Sequence, residues 1–152
     1  MQRGGVHNWL QTVQGWLLPP RCVRCAAAGR PPTIDLCRYC EDELVANRNA
    51  CRRCALPLPA VAGAPCVACQ RRTRRFDTAF AAYRYAYPVD RLVQRFKYQG
   101  ELAVGRVLGE LMARSLAART TELPQALVPV PLARAKQRER GFNQALELAR
   151  PI

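Results

Sequence analysis

Eight cysteines in four C-x2-C pairs constrain this 152-residue chain more than any other feature: Cys22/Cys25, Cys37/Cys40, Cys51/Cys54 and Cys66/Cys69. Eleven residues separate the first pair from the second, and eleven separate the third from the fourth. Each cysteine of the first quartet recurs 29 positions later in the second, an internal repeat of metal-ligand spacing. A C-x2-C turn aims two sulfurs at one ion, and two such turns complete a tetrahedral four-cysteine shell with Zn–S near ~2.3 Å. A closed shell leaves no position for water or substrate, so two structural zinc ions are expected. Thiolates also accept iron or an iron–sulfur cluster, but zinc is the commoner occupant of paired knuckles. Sequential pairing makes each repeat a complete unit, while a cross-brace between pairs one and three is compatible with the same spacing.

Two other uses of the cysteines fit less well. Four disulfides need an oxidising compartment, and nothing marks the chain as secreted. Residues 6–18 are apolar only in part, interrupted by Gln11, Thr12, Gln14 and Gly15. A thioredoxin-like redox pair needs one reactive C-x2-C on a βαβ scaffold. No stretch reaches the ~18 unbroken apolar residues of a membrane span, so a cytoplasmic protein is expected. His7, the single histidine, lies 15 residues before Cys22 and reads as a surface residue. Around it Val6, Trp9, Leu10, Val13 and Leu17 share a helical face, which predicts an amphipathic helix over 1–19, stopped by Pro19-Pro20.

Charge narrows the partners. Lys+Arg outnumber Asp+Glu by 24 to 11, a net charge of +13, and 22 of the 24 bases are arginine. Such an excess favours polyanions, including nucleic acid. Arg71, Arg72, Arg74 and Arg75 follow the last knuckle, where mutual repulsion makes 71–75 an exposed linker, either a phosphate contact or a solvated hinge.

From Phe76 the cysteines stop and periodicity begins. Residues 78–85 read as a strand. Val89, Leu92, Val93 and Phe96 predict a helix, which Gln99-Gly100 break. A second helix over 101–119 carries Val104, Val107, Leu108, Leu111, Met112 and Leu116 on one side and Arg106, Glu110 and Arg114 on the other. Residues 126–131 (ALVPVP) suit a short buried strand, although Pro129 and Pro131 each lack an N–H for a ladder. A basic loop with Arg134, Lys136, Arg138 and Arg140 follows, then Gly141 and a helix with Phe142, Ala145, Leu146 and Ala149 on one face. Strand, basic loop and helix is how α/β folds build anion sites, here with Arg138, Arg140 and Asn143 as candidates.

Four knuckles, then FKYQG at Phe96–Gly100, then VPVPL and RERGFNQ within Val128–Gln144, closely resemble the ComF (ComFC-like) family over nearly the whole chain. In many zinc ribbons a glycine follows the second cysteine of a knuckle; Ala26, Glu41, Ala55 and Gln70 stand there instead. The resemblance implies a double zinc ribbon at 20–70 joined, through 71–75, to an α/β phosphoribosyltransferase-like domain at 76–152. It also implies a link to DNA uptake in natural competence, with single-stranded DNA or other nucleic acid and proteins of a competence apparatus as partners. The family's phosphoribosyltransferase signature, an acidic pair at a strand end followed by a Thr/Gly-rich loop, has no counterpart here. Glu41-Asp42-Glu43 lie in the ribbon, and Thr120-Thr121 precede Glu122-Leu123-Pro124 without a glycine. With two strand candidates, too few for an independent sheet, the α/β part is read as incomplete, truncated before that loop.

Three functions follow as expectations. The first is a zinc-binding accessory protein that contacts nucleic acid through Arg71–Arg75 and through Arg134, Lys136, Arg138, Arg140 and Asn143. The second is a phosphoribosyltransferase-type fragment, inactive as it stands and with no catalytic residue assigned. The third is a structural module whose ribbons dock to a partner protein.

Overall fold

A computed structural model describes residues 20–30, 34–59, 65–72, 74–119 and 124–152; the expected helix over 1–19 lies outside them. Among the described residues the regular elements are six helices: α1 (Arg38–Asp42), α2 (Val67–Arg71), α3 (Val89–Tyr98), α4 (Leu102–Ala117), α5 (Arg134–Arg140) and α6 (Gln144–Ala149). α1 and α2 each follow the third cysteine of a quartet. The β structure among the described residues consists of isolated antiparallel bridges, Arg21 with Ala28, Arg30 with Ile34, Ala46 with Tyr83 and Ala50 with Pro57.

The helical periodicity is reproduced. Val89, Leu92 and Phe96 of α3 and Val104, Val107 and Leu111 of α4 are buried. α3 stops at Gln99, and Gly100, at φ 69°, takes the left-handed turn that sends the chain back as α4. Phe96 then lies on α4 at Gly105, where a Cβ would meet the phenyl Cε2 at 2.4 Å. Only the missing side chain allows that approach, and burying the ring contributes about 1.5–3 kcal/mol. α6 packs on α4 as well.

The first ribbon repeat belongs to the same core. Cys22, Ile34, Leu36, Cys40 and Leu44 form one buried cluster with Val89, Leu92, Phe96, Val104, Val107 and Leu111. Arg95 of α3 reinforces the joint: it donates to the Val23 carbonyl at 2.7 Å while its Nε donates to Glu101 at 2.8 Å. Arg106 of α4 faces Asp35 at 3.8 Å. The second repeat makes a separate small cluster of Cys51, Cys66 and Cys69 with Cys54 and Leu58. One ribbon is built into the body of the molecule, whereas the other packs chiefly on itself.

The strand expectations are not met among the described residues. Residues 78–85 contribute a single bridge at Tyr83, flanked by Asn47 N–H to Ala82 O at 3.0 Å and Arg84 N–H to Val45 O at 2.9 Å. Residues 126–131 are unpaired and open to solvent, with Val128 85% and Val130 73% exposed. A strand exists only through a neighbour, and none of the described segments forms a backbone bridge with this one. The basic segment expected as a loop is α5. RAKQRER contains only residues that tolerate a helix, and Gly141, at φ 76°, closes it. Phe142 precedes α6 rather than lying on its face, and it stacks at 5.4 Å from the Phe96 ring.

Candidate metal centres

Each quartet is assembled from two different kinds of turn. The first pair sits in a tight knuckle closed by Cys22 N–H to Ala27 O at 2.8 Å and Ala26 N–H to Cys22 O at 2.9 Å. Twenty-nine residues on, Cys51 N–H reaches Leu56 O and Ala55 N–H reaches Cys51 O, both at 2.9 Å. Ala26 and Ala55 both have φ 59°, the left-handed region that glycine occupies at this place in many ribbons. Glu41 and Gln70 have no such need, because each follows its cysteine inside α1 or α2. The missing glycines therefore leave the ligand geometry intact and concentrate the backbone strain at two alanines.

The sulfurs converge sequentially. Cys22, Cys25, Cys37 and Cys40 have all four Sγ atoms within 4.8 Å of one another, and so do Cys51, Cys54, Cys66 and Cys69. A tetrahedron of sulfurs ~2.3 Å from a central ion has edges near ~3.8 Å. Cys25 and Cys37 Sγ lie 3.6 Å apart, and Cys54 and Cys66 Sγ 3.7 Å apart. These spacings fit an ion between the sulfurs and exceed an S–S bond, ~2.05 Å, by far; all eight cysteines are free. The donor set and its shape fit a zinc ribbon in both repeats.

The electrostatics of the quartets suit a dication. Burial raises the Cys22 thiol, yet the N–H groups of Cys37, Cys25 and Arg24 outweigh it and bring the group to about 6. Cys51, its repeat counterpart, is also lowered to about 6, by the N–H groups of Cys54 and Cys66 against some burial. Cys40 and Cys54 move the opposite way. Burial and the sulfurs of Cys37, Cys22 and Cys25 push Cys40 up. Cys54 reaches about 11 although the Leu56 N–H favours its thiolate, because burial and its three sulfur neighbours prevail. Four crowded sulfurs ionise together only with a cation among them.

The basic candidates fall in two places. Arg71 ends α2, and Arg72, Arg74 and Arg75 follow; all four are exposed and join no ion pair among the described residues. Arg134, Lys136 and Arg138 are exposed on α5, where Lys136 pairs with Glu139 at 2.7 Å. Arg140 donates to Gln144 at 3.2 Å and lies 5.7 Å over the Tyr98 ring. Asn143 caps α6, accepting from Ala145 and Leu146 N–H while its amide donates to Val130 O. Its side chain is thus committed to the fold.

Two recesses gather residues that the sequence pattern did not single out together. One, of ≈ 290 Å³, brings Lys97, Tyr98, Gln99 and Gly100 of the α3–α4 turn against Glu139 and Arg140. The other, of ≈ 390 Å³, is lined by Arg52, Arg53, Pro65, Cys69, Gln70, Asp77 and Thr78, with the Thr78 hydroxyl donating to Arg52 O at 2.9 Å. Arg52 and Arg53 sit between ligand cysteines, so they never form a run that stands out as basic. The available signal was the lack of any acid from Leu44 through Phe76.

Comparison with known proteins agrees with this geometry. Residues 13–73 match a double zinc ribbon domain. The chain is 31% identical over 129 residues to Competence protein F of Haemophilus influenzae, an alignment covering 82% of this chain and 56% of that protein. It is 27% identical over 121 residues to DNA utilization protein YhgH of Escherichia coli, covering 77% and 53%. To YhgH of Salmonella typhimurium it is 27% identical over 139 residues, covering 89% and 61%. The chain therefore spans little more than half the length of these relatives. No solved structure matches it. Two convergent sulfur quartets, a matching double ribbon and these relatives together support a ComF-family assignment.

Proposed function

We propose that this protein is a zinc-binding accessory factor in DNA uptake or use, whose ribbons are held by two structural zinc ions and whose basic surfaces contact single-stranded nucleic acid. Cys22, Cys25, Cys37 and Cys40 hold one ion; Cys51, Cys54, Cys66 and Cys69 hold the other. Bound zinc supplies a crosslink and no reaction, because a closed sulfur shell has no place for substrate. The observation that carries the reading is the position of Arg71, Arg72, Arg74 and Arg75, exposed and without ion pairs among the described residues, directly after the second quartet. Arg134, Lys136, Arg138 and Arg140 of α5 add a second basic face. The names of the relatives, a competence protein and a DNA utilization protein, support the same role.

Eight unpaired thiols suit a reducing cytoplasm. The portion from Phe76 onward is read as the opening of a phosphoribosyltransferase-like domain, with no catalytic residue of its own.

Fluorescence anisotropy with a labelled single-stranded oligonucleotide tests the proposal. Four phosphate contacts from the 71–75 strip alone set a slope of log affinity against log salt of about −3, with any further contact steepening it, so affinity falls at least ~50-fold between 50 and 200 mM salt. Absence of binding at low salt, or binding indifferent to salt, refutes it.

A further inference from the structure

The two ribbon repeats share a ligand pattern and differ in charge. From Pro20 through Glu43, four arginines face four acids. Three of those arginines are paired within the repeat, Arg24 with Glu43, Arg30 with Glu41 and Arg38 with Asp42. From Leu44 through Phe76 there are seven arginines, no lysine and no acid: Arg48, Arg52, Arg53, Arg71, Arg72, Arg74 and Arg75. None of the seven joins an ion pair among the described residues. With four thiolates and one dication in place, the second repeat still carries about +5. By the same count the first repeat is about −2; it shares the helical core, whereas the second joins that core at Leu44 and gathers its cysteines in a cluster of their own.

We infer that the repeats divide the work: the first is scaffold, and the second is the docking surface for the nucleic-acid backbone, with Arg48, Arg52 and Arg53 acting together with the 71–75 strip. This rests on the nucleic-acid reading above. The geometry draws the arginines together. Gln70 and Asp77, which bracket the strip, both line the recess that Arg52 and Arg53 line. Seven chain steps between those anchors allow an excursion of at most ~12 Å, comparable to a Debye length of ~10 Å. The strip and the knuckle arginines thus act as one field. Asp77 is the acid at the recess, and Arg53 Nε–H is buried there without an acceptor among the described residues.

The composition selects the ligand. Guanidinium forks bind phosphate oxygens in bidentate fashion and stack on bases, which ammonium groups do not. Phe76, 43% exposed beside Arg75, offers a base a ring to stack on. A strand with accessible bases satisfies both features.

The test compares two charge-matched variants of the full chain by anisotropy with a labelled single-stranded oligonucleotide over a salt series. One is Arg48→Gln/Arg52→Gln/Arg53→Gln. The other is Arg21→Gln/Arg38→Gln/Arg106→Gln, all exposed and outside the second repeat. At ~0.7 per phosphate contact, the wild type has a slope near −5, the first variant is flatter by about 2, and the second keeps the wild-type slope. Arg48→Gln/Arg52→Gln, which spares the half-buried Arg53, flattens it by about 1.4. Zinc content and far-UV circular dichroism check that each variant stays folded. Equal effects in both triple variants would mean general attraction and overturn the inference, as would an unchanged slope in the first. Either result leaves the nucleic-acid proposal standing if the wild type binds. Wild type that fails to bind removes both. Equally tight binding to vesicles of 3:1 phosphatidylcholine and phosphatidylserine also overturns the inference, since bases then play no part.

Discussion

Replacing Gly105 with alanine tests whether the first ribbon and the helices share one core. The added Cβ lies 2.4 Å from Phe96 Cε2, 2.8 Å from Cδ2 and 3.0 Å from Cζ, so ring or helix must move. Overpacking of this kind costs about 1–3 kcal/mol. Alanine's helix preference returns ~0.5–1 kcal/mol, leaving a net loss of up to ~2.5 kcal/mol, about 1.3 kcal/mol at midrange. Phe96 also touches the cluster containing Cys22 and Cys40. The loss therefore weakens zinc retention at the first site, by roughly tenfold at 1.4 kcal/mol, and spares the second. Urea unfolding with zinc present reads the stability, and competition with a graded chelator, following the two zinc-release steps, reads the sites. A Phe96→Leu background, which removes Cε2 and Cζ, should abolish most of the alanine cost, giving a coupling of at least ~1 kcal/mol. A stabilised Gly105→Ala protein, additive effects in the double variant, or equal weakening of both sites would refute the shared core.

Two further outcomes follow from particular residues. Ala26→Gly and Ala55→Gly should each raise stability by about 0.5–1 kcal/mol, since a left-handed L-residue costs ~1–2 kcal/mol and glycine's unfolded-state entropy offsets part of it; a lower melting temperature would show that the knuckle strain is absent. Arg95 holds the Glu101 carboxyl below its ordinary value, chiefly by hydrogen bonding against a little burial. A depressed carboxyl contributes stability above its unfolded pKa, ~4.3, and loses it as pH falls through the lower folded value. The melting-temperature gap between wild type and Glu101→Gln should stay constant from pH 8 to 5 and close below that. The pair is about one-third exposed, so the gap corresponds to under ~1 kcal/mol; a gap that widens in acid would contradict the assignment.

What was readable in advance was local. Cysteine spacing is a property of a few turns, and it anticipated both quartets and the 29-residue repeat. The same period recurs in the backbone hydrogen bonds from Gly29 N–H to Pro20 O and from Leu58 N–H to Asn49 O. The apolar faces of α3 and α4, and the break at Gln99-Gly100, followed from periodicity and a single left-handed turn. Strands are not local: Leu127, Val128 and Val130 have the right composition but no described neighbour to pair with, and they remain exposed. α5 was missed for a different reason. Its arginines drew attention as charge, while its uninterrupted helix formers up to Gly141 carried the conformational signal. The joining of the first ribbon to the helices depends on Ile34 and Leu36, two isolated apolar residues in a segment without period. Likewise, Arg48, Arg52 and Arg53 were hidden by scatter, and only the absence of acids around them marks the second repeat.

The most direct test of the whole account is the metal content of freshly purified, reduced protein, measured by elemental mass spectrometry together with thiol titration. Two zinc ions per chain, with all eight thiols recovered only after the metal is released, is the expected result. A chain that is folded yet carries no stoichiometric metal, or a single ion shared between the quartets, would contradict it.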